Sequence, residues 1–133
     1  MSNIFPPDVK EASDKIESEW ISAKEFDGEG LILQIVQPLE KMVSTNPKYG
    51  AKADNFLVKN AILEVGETFR YIFKSSKGND RKIDTNSAPF FIGFKQATAE
   101  DEVGVGDWVE IVRTGETTET RYEVTKASAP VQV

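Results

Sequence analysis

Thr68-Phe69-Arg70-Tyr71-Ile72-Phe73-Lys74-Ser75 places an aromatic side chain at every second position. A period of two sends successive side chains to opposite faces of a sheet, so this run predicts a β-strand. Phe69, Tyr71 and Phe73 share one face, and Arg70, Ile72 and Lys74 share the other. Gly66-Glu67 ahead of it reads as a turn. Behind it, Lys77-Gly78-Asn79-Asp80 has the glycine and turn formers of a hairpin loop leading into a further strand, Arg81 to Thr85.

Working towards the N-terminus, Phe56 to Leu63 reads as another strand. Ser44 to Asn55 reads as loop, rich in turn formers and carrying Lys48, Tyr49 and Lys52. From Gly30 the period is again two, with Leu31, Leu33 and Ile35 opposed to Ile32, Gln34 and Val36. That strand is expected to run past Pro38 to about Val43 with a bend or bulge at the proline, which cannot donate to a ladder. Trp20 and Phe26 flank a single turn before the break at Gly28, and both rings are expected to plug the core. Pro6-Pro7 blocks regular structure. After it, Asp8 with Glu11 has capping-box character, and Val9, Ala12, Ile16 and Trp20 recur at helical spacing, predicting an amphipathic helix from about Val9 to Glu19. Its many acids make either a solvated face or an acidic partner surface.

Towards the C-terminus, Ser87 is a candidate N-cap and Pro89 sits in the first turn, where its missing N–H costs little. The helix predicted from Pro89 to about Thr98 presents Phe90, Phe91, Phe94 and Ala97 on one broad apolar side that must be buried. A strand over Asp107 to Arg113 turns Val109 and Ile111 inward. A turn at Thr114-Gly115-Glu116 leads to a last strand, Thr118 to Lys126, with Tyr122 and Val124 on one face. Ala127 to Val133 reads as a frayed tail. The domain organisation is therefore an arm and helix over 1–19, one β domain over 20–126 and a tail over 127–133.

Composition sets the limits on chemistry. The chain has 133 residues, enough for one domain with a real core, and contains neither Cys nor His. This removes disulfides, thiolate nucleophiles, zinc sites built on soft ligands and every mechanism with imidazole as base, so hydrolase triads are excluded. No apolar run approaches the roughly 18 residues of a membrane span, and Met1 to Lys10 lacks a basic region followed by a hydrophobic stretch, so a cytoplasmic protein without membrane contact is expected. The net charge of −6 conceals an asymmetry: residues 1–40 hold 3 basic and 9 acidic side chains, residues 41–82 hold 9 and 4, and residues 83–133 hold 4 and 9. The basic middle third is either one face prepared for a polyanion or a set of lysine-rich loops that keep strand edges soluble.

The order strand, loop, two or three strands, helix and two-stranded hairpin is the order of an OB-fold, a mainly β, five-stranded Greek-key barrel with its helix between strands three and four. Here an N-terminal helix precedes it. Over Trp20 to Lys126 the chain resembles small OB-type single-stranded-DNA-binding proteins of phages and other mobile elements. The matching pieces are Trp20-Ile21-x-Ala23-x-x-Phe26-x-Gly28, Gly106-Asp107-x-Val109-x-Ile111 and Arg121-Tyr122-x-Val124. The resemblance implies sequence-tolerant single-strand binding in replication or recombination, without catalysis or cofactor, in the host cytoplasm if the source is viral. RNA is an alternative ligand, and replication or recombination proteins or a second copy of the chain are the protein partners it allows. Many such families end in an acidic tail that recruits partners; Ala127 to Val133 has no acid.

A single-strand binder needs cations for phosphate and aromatic platforms for bases, each stacked base contributing about 1–3 kcal/mol. The candidate cations are Lys41, Lys48, Lys52, Lys59, Arg70, Lys74, Lys77, Arg81 and Lys82. The candidate platforms are Tyr49, Trp108 and the Phe69, Tyr71, Phe73 stripe, which is either platform or core. Trp108 shares the outer face of its strand with Glu110 and Val112, because Val109 and Ile111 claim the inner one. Metal-assisted catalysis by Asp54, Glu64, Asp80 and Asp84 is disfavoured, since Asp80-x-Lys82-x-Asp84 puts a lysine where a calcium loop needs a ligand. Gly104-x-Gly106 lacks the third glycine and the helix of a phosphate loop. The rival reading is a non-enzymatic interaction or structural module of phage or plasmid type, meeting a basic partner through its acidic segments.

Overall fold

The computed structural model describes residues 18–46, 49, 56–115 and 119–130. The chain is mainly β, with a short 3-10 turn at Ala23–Phe26 followed by β1 (Leu31–Ile35), β2 (Glu40–Val43), helix α1 (Phe56–Lys59), β3 (Glu67–Ser75), β4 (Asp80–Thr85), helix α2 (Ala88–Asp101), β5 (Trp108–Thr114) and β6 (Arg121–Ala127). All strand pairs are antiparallel, in the order β2-β3-β1-β5-β6, with β4 on β3. There are six strands where five were expected, and the sheet is open.

Both departures have a local cause. β1 and β2 are the two halves of the long strand expected from Gly30 to Val43, and each pairs with β3: Ile35 lies opposite Phe73, and Glu40 opposite Arg70. The Val36 N–H still reaches the Ile72 carbonyl at 3.3 Å, so Gln37, Pro38 and Leu39 bulge out opposite Tyr71 alone. Proline at that bulge removes one ladder donor and splits the strand, the bend predicted there. The sheet stays open because the far edge of β4 is taken. The Ile21 N–H donates to the Lys82 carbonyl at 2.8 Å, the Lys82 N–H donates to the Glu19 carbonyl at 2.7 Å, and Trp20 forms a parallel bridge with Lys82.

The inner face of the sheet and α2 enclose an aromatic core. Phe26, Tyr71, Phe73 and Phe90 are each at most 1 % exposed, and Val109 and Ile111 are fully buried. Phe90 meets Tyr71 edge-on at 4.5 Å, Tyr122 at 4.9 Å and Phe26 at 5.6 Å between ring centroids, the tilted geometries that aromatic quadrupoles favour. The Phe69, Tyr71, Phe73 stripe is therefore core. α2 starts after Ser87 as expected, with Pro89 in its first turn, and runs three residues beyond Thr98 to a left-handed Glu102. It lies so close to β6 that a Cβ on Gly93 would come 2.6 Å from the Tyr122 carbonyl oxygen.

Four further expectations change. Phe56 to Leu63 is helical at Phe56–Lys59 and then turns, closed by an Asn60 amide donating to the Phe56 carbonyl and by Ala61 at a positive φ of 60°. It buries Leu57 and Leu63 as a plug, and among the described residues no strand pairs with it. Trp20 is 47 % exposed, whereas Phe26 is the plug both rings were expected to be. The last strand starts at Arg121, three residues after the expected Thr118, and ends at Ala127, which pairs with Trp108. Ser18 and Glu19 are not helical, while residues 1–17, and with them the rest of the expected amphipathic helix, lie outside the described residues, as do 131–133 of the tail.

Candidate nucleic-acid interface

The side of the sheet that faces away from α2 is built by strand alternation. Since Tyr71 and Phe73 point inward, Arg70, Ile72 and Lys74 point outward; since Ile83 is buried opposite Tyr71, Lys82 and Asp84 face out. Register then sets the neighbours. One row runs Asp80, Lys74, Gln34, Trp108 and Ala127 across five strands, and the next pairs Ile72 with Lys82. Gln34 is held in place by its side-chain amide, which donates to the Gly106 carbonyl at 3.1 Å. Trp108 is half-buried in that row.

Beyond β4 this face continues into Trp20. Its bridge with Lys82 puts its ring on the same side, and the Arg70 guanidinium carbon sits 5.2 Å from the ring centroid, within cation–π range. Arg70 is fixed from below by Asp84, which accepts from Nε at 2.8 Å and from a terminal nitrogen at 3.0 Å. This hydrogen-bonded pairing raises the guanidinium pKa above its ordinary value, so Arg70 is charged at every accessible pH. Trp20, Arg70, Ile72, Lys74, Lys82 and Trp108 therefore form one aromatic and cationic surface.

Two of the three cations on this surface are ion-paired. Lys82 pairs with Glu19 at 2.7 Å, Arg70 with Asp84, and Lys74 stands opposite Asp80 in register. The three bases are matched by three acids, so the +5 of the middle third does not become a +5 face. Arg81 leaves the surface altogether. It lies opposite Phe73 on the inner side of β4, is 5 % exposed and donates to Glu25 at 2.6 Å. The other Glu25 oxygen accepts the Ser22 N–H at 2.7 Å, which locks the 3-10 turn to β4.

The remaining candidates are dispersed. Tyr71 is buried at 1 % exposure and has no face for a base; burial also pushes its hydroxyl pKa well up. Tyr49 is half-buried, its hydroxyl directed at the Asp84 carbonyl at 3.4 Å and its own carbonyl accepting from Gly66. Lys59 is exposed at the end of α1, Lys77 in the β3–β4 turn and Lys41 on β2. Lys48 and Lys52 lie outside the described residues. Among the described residues no group of three or more acids gathers where it could hold a metal ion.

Sequence reasoning missed Trp20, whose helical spacing with Ile16 and proximity to Phe26 made it look like core. It also missed the acidic partners. A signal for one of them was present: a hairpin centred on Lys77 puts Lys74 opposite Asp80 and hence Arg70 opposite Asp84. No protein-family model matches the chain, no curated protein is significantly similar to it, and no solved structure matches its fold.

Proposed function

We propose that the chain is an OB-like module that binds single-stranded DNA without strong sequence preference and without catalysing a reaction. The architecture supports this reading when β1 and β2 are taken as one bent strand. The spatial order then becomes β4, β3, bent strand, β5, β6, with α2 connecting β4 to β5, the OB connectivity with its closing pair left open. The observation that carries the functional reading is the surface with tryptophans at both ends, Trp20 stacked by Arg70 on one side and Trp108 in the Lys74 row on the other. Aromatic faces between cations suit bases between phosphates. Such a ligand would be met in replication or recombination.

The test is a titration of a labelled oligonucleotide of about 20–30 bases at two salt concentrations. Arg70→Glu or Lys74→Glu should weaken binding to all sequences and flatten the slope of log affinity against log salt by up to about 0.7 for each phosphate left without its cation. Trp108→Ala should cost about 1–3 kcal/mol with the slope almost unchanged. Wild-type protein that fails to bind at low salt would sink the proposal. The pairing of Arg70 and Lys82 with carboxylates favours a second reading, a non-enzymatic interaction module whose balanced face meets another protein. In that case all three variants would be silent towards oligonucleotide.

A further inference from the structure

A groove of about 520 Å³ opens where the Gln37–Leu39 bulge leaves β3, beside α2. Its walls are Ile35 and Leu39 from the bent strand, Phe91 and Phe94 from α2, and Val103 and Val105 from the segment after it. The volume lies within the roughly 300–1,000 Å³ of small-molecule sites, and an apolar lining with few polar groups is their usual composition.

Four polar side chains line the same groove: Gln37, Tyr71, Lys95 and Thr98. Lys95 is exposed on α2 and, among the described residues, is the single charged side chain of the lining. In a chain of net charge −6 this is a positive mark on an otherwise apolar surface. Tyr71 is 1 % exposed, and its hydroxyl is buried with no hydrogen-bond partner among the described residues. A buried hydroxyl left unpaired is costly, and an acceptor supplied from outside removes that cost. Thr98 already donates to the Phe94 carbonyl at 3.0 Å, and the Gln37 amide donates to the Glu40 carboxylate.

The geometry points to a binding site for a small amphipathic carboxylate, its hydrocarbon body against the Ile35, Leu39, Phe91, Phe94 walls and its acid group recruited by Lys95 and Tyr71. The bulge makes the site: a straight strand would continue the ladder past Tyr71, whereas three residues opposite one leave an opening in front of α2. This inference does not depend on single-strand binding.

Sodium octanoate titrated into the full chain by calorimetry tests it, with octanol as the neutral analogue. Saturable one-to-one octanoate binding is expected, with octanol about tenfold weaker because it lacks the charge. Lys95→Glu should weaken octanoate about tenfold and Tyr71→Phe about threefold, the latter without loss of fold because only an unpaired hydroxyl is removed. Val105→Trp fills the mouth from a position that is 57 % exposed and should abolish binding. Absence of saturable octanoate binding overturns the site. Equal affinity for octanol overturns the carboxylate and leaves a neutral apolar groove suited to another protein's side chain. Octanoate affinity unchanged in Val105→Trp overturns the location.

Discussion

β3 serves two surfaces with one backbone, and they obey different rules. Its inward residues Phe69, Tyr71 and Phe73 are buried at 8 %, 1 % and 1 % exposure among aromatic neighbours from α2. Its outward residues Arg70, Ile72 and Lys74 are half-buried or exposed beside β4. The inward set is held by area removed from water, a property each side chain carries into any β-strand whose face is covered. The outward set depends on which acid stands opposite which base. Apolar burial is a matter of face, whereas charge balance is a matter of register, and a shift of two residues would keep every face and rewrite the second entirely.

That contrast can be broken experimentally from either side. The largest effect belongs to the inner surface: Phe90→Ala removes the ring that meets Phe26, Tyr71, Phe94 and Tyr122 and should cost about 3–5 kcal/mol in urea denaturation. A loss below about 1 kcal/mol would mean that the aromatic core collapses around the gap. Arg81→Met is intermediate and tests the buried base on the inner side of β4. The stem stays buried but Glu25 loses its partner, so about 1–2 kcal/mol should disappear. If stability rises instead, the pair fixes the 3-10 turn at the expense of stability.

The smallest effect at neutral pH, and the sharpest, is Tyr71→Phe. Burial raises the hydroxyl pKa of Tyr71, so above the unfolded value of about 10 the unfolded chain releases a proton that the folded chain retains. The stability contributed by the protonated folded form is complete below about pH 10 and is lost as pH rises further. The variant lacks this dependence. Its urea midpoint should lie above wild type already at neutral pH, because an unpaired buried hydroxyl has been removed, and the gap should widen above about pH 10.5; a gap that stays constant with pH would show that the hydroxyl titrates normally.

Much of the fold was legible because it rests on periodicity. The β3–β4 hairpin, the proline bend before β2, the Ser87 start of α2 and the inward Val109 and Ile111 all follow from alternation, turn chemistry or capping within about ten residues. The failures sit where tertiary context decides. Phe56 to Leu63 has two short apolar clusters around Lys59-Asn60, compatible with a strand until it is known that Leu57 and Leu63 are both buried as plugs. Trp20 is apolar and flanked by helical spacing, yet its bridge to Lys82 lies 62 residues away in sequence. The candidate surface was legible only in part for the same reason: cations can be counted along the chain, but Glu19, Glu25 and Asp84 neutralise them from 14 to 63 positions away.

The short segment Glu19–Ile21 along β4 has a consequence for how the molecule meets its own kind. The outer borders of an open sheet are templates for another chain's strand. On the β4 side the backbone groups of Lys82 are already spent on Glu19 and Ile21, so that border presents no free ladder at its centre. On the β6 side the protection is of another sort: Arg121, Glu123 and Lys126 are exposed along the strand, and their charges must be desolvated before a second strand can dock. Covering the β4 border with its own chain and charging the β6 border guards both of these edges against strand addition.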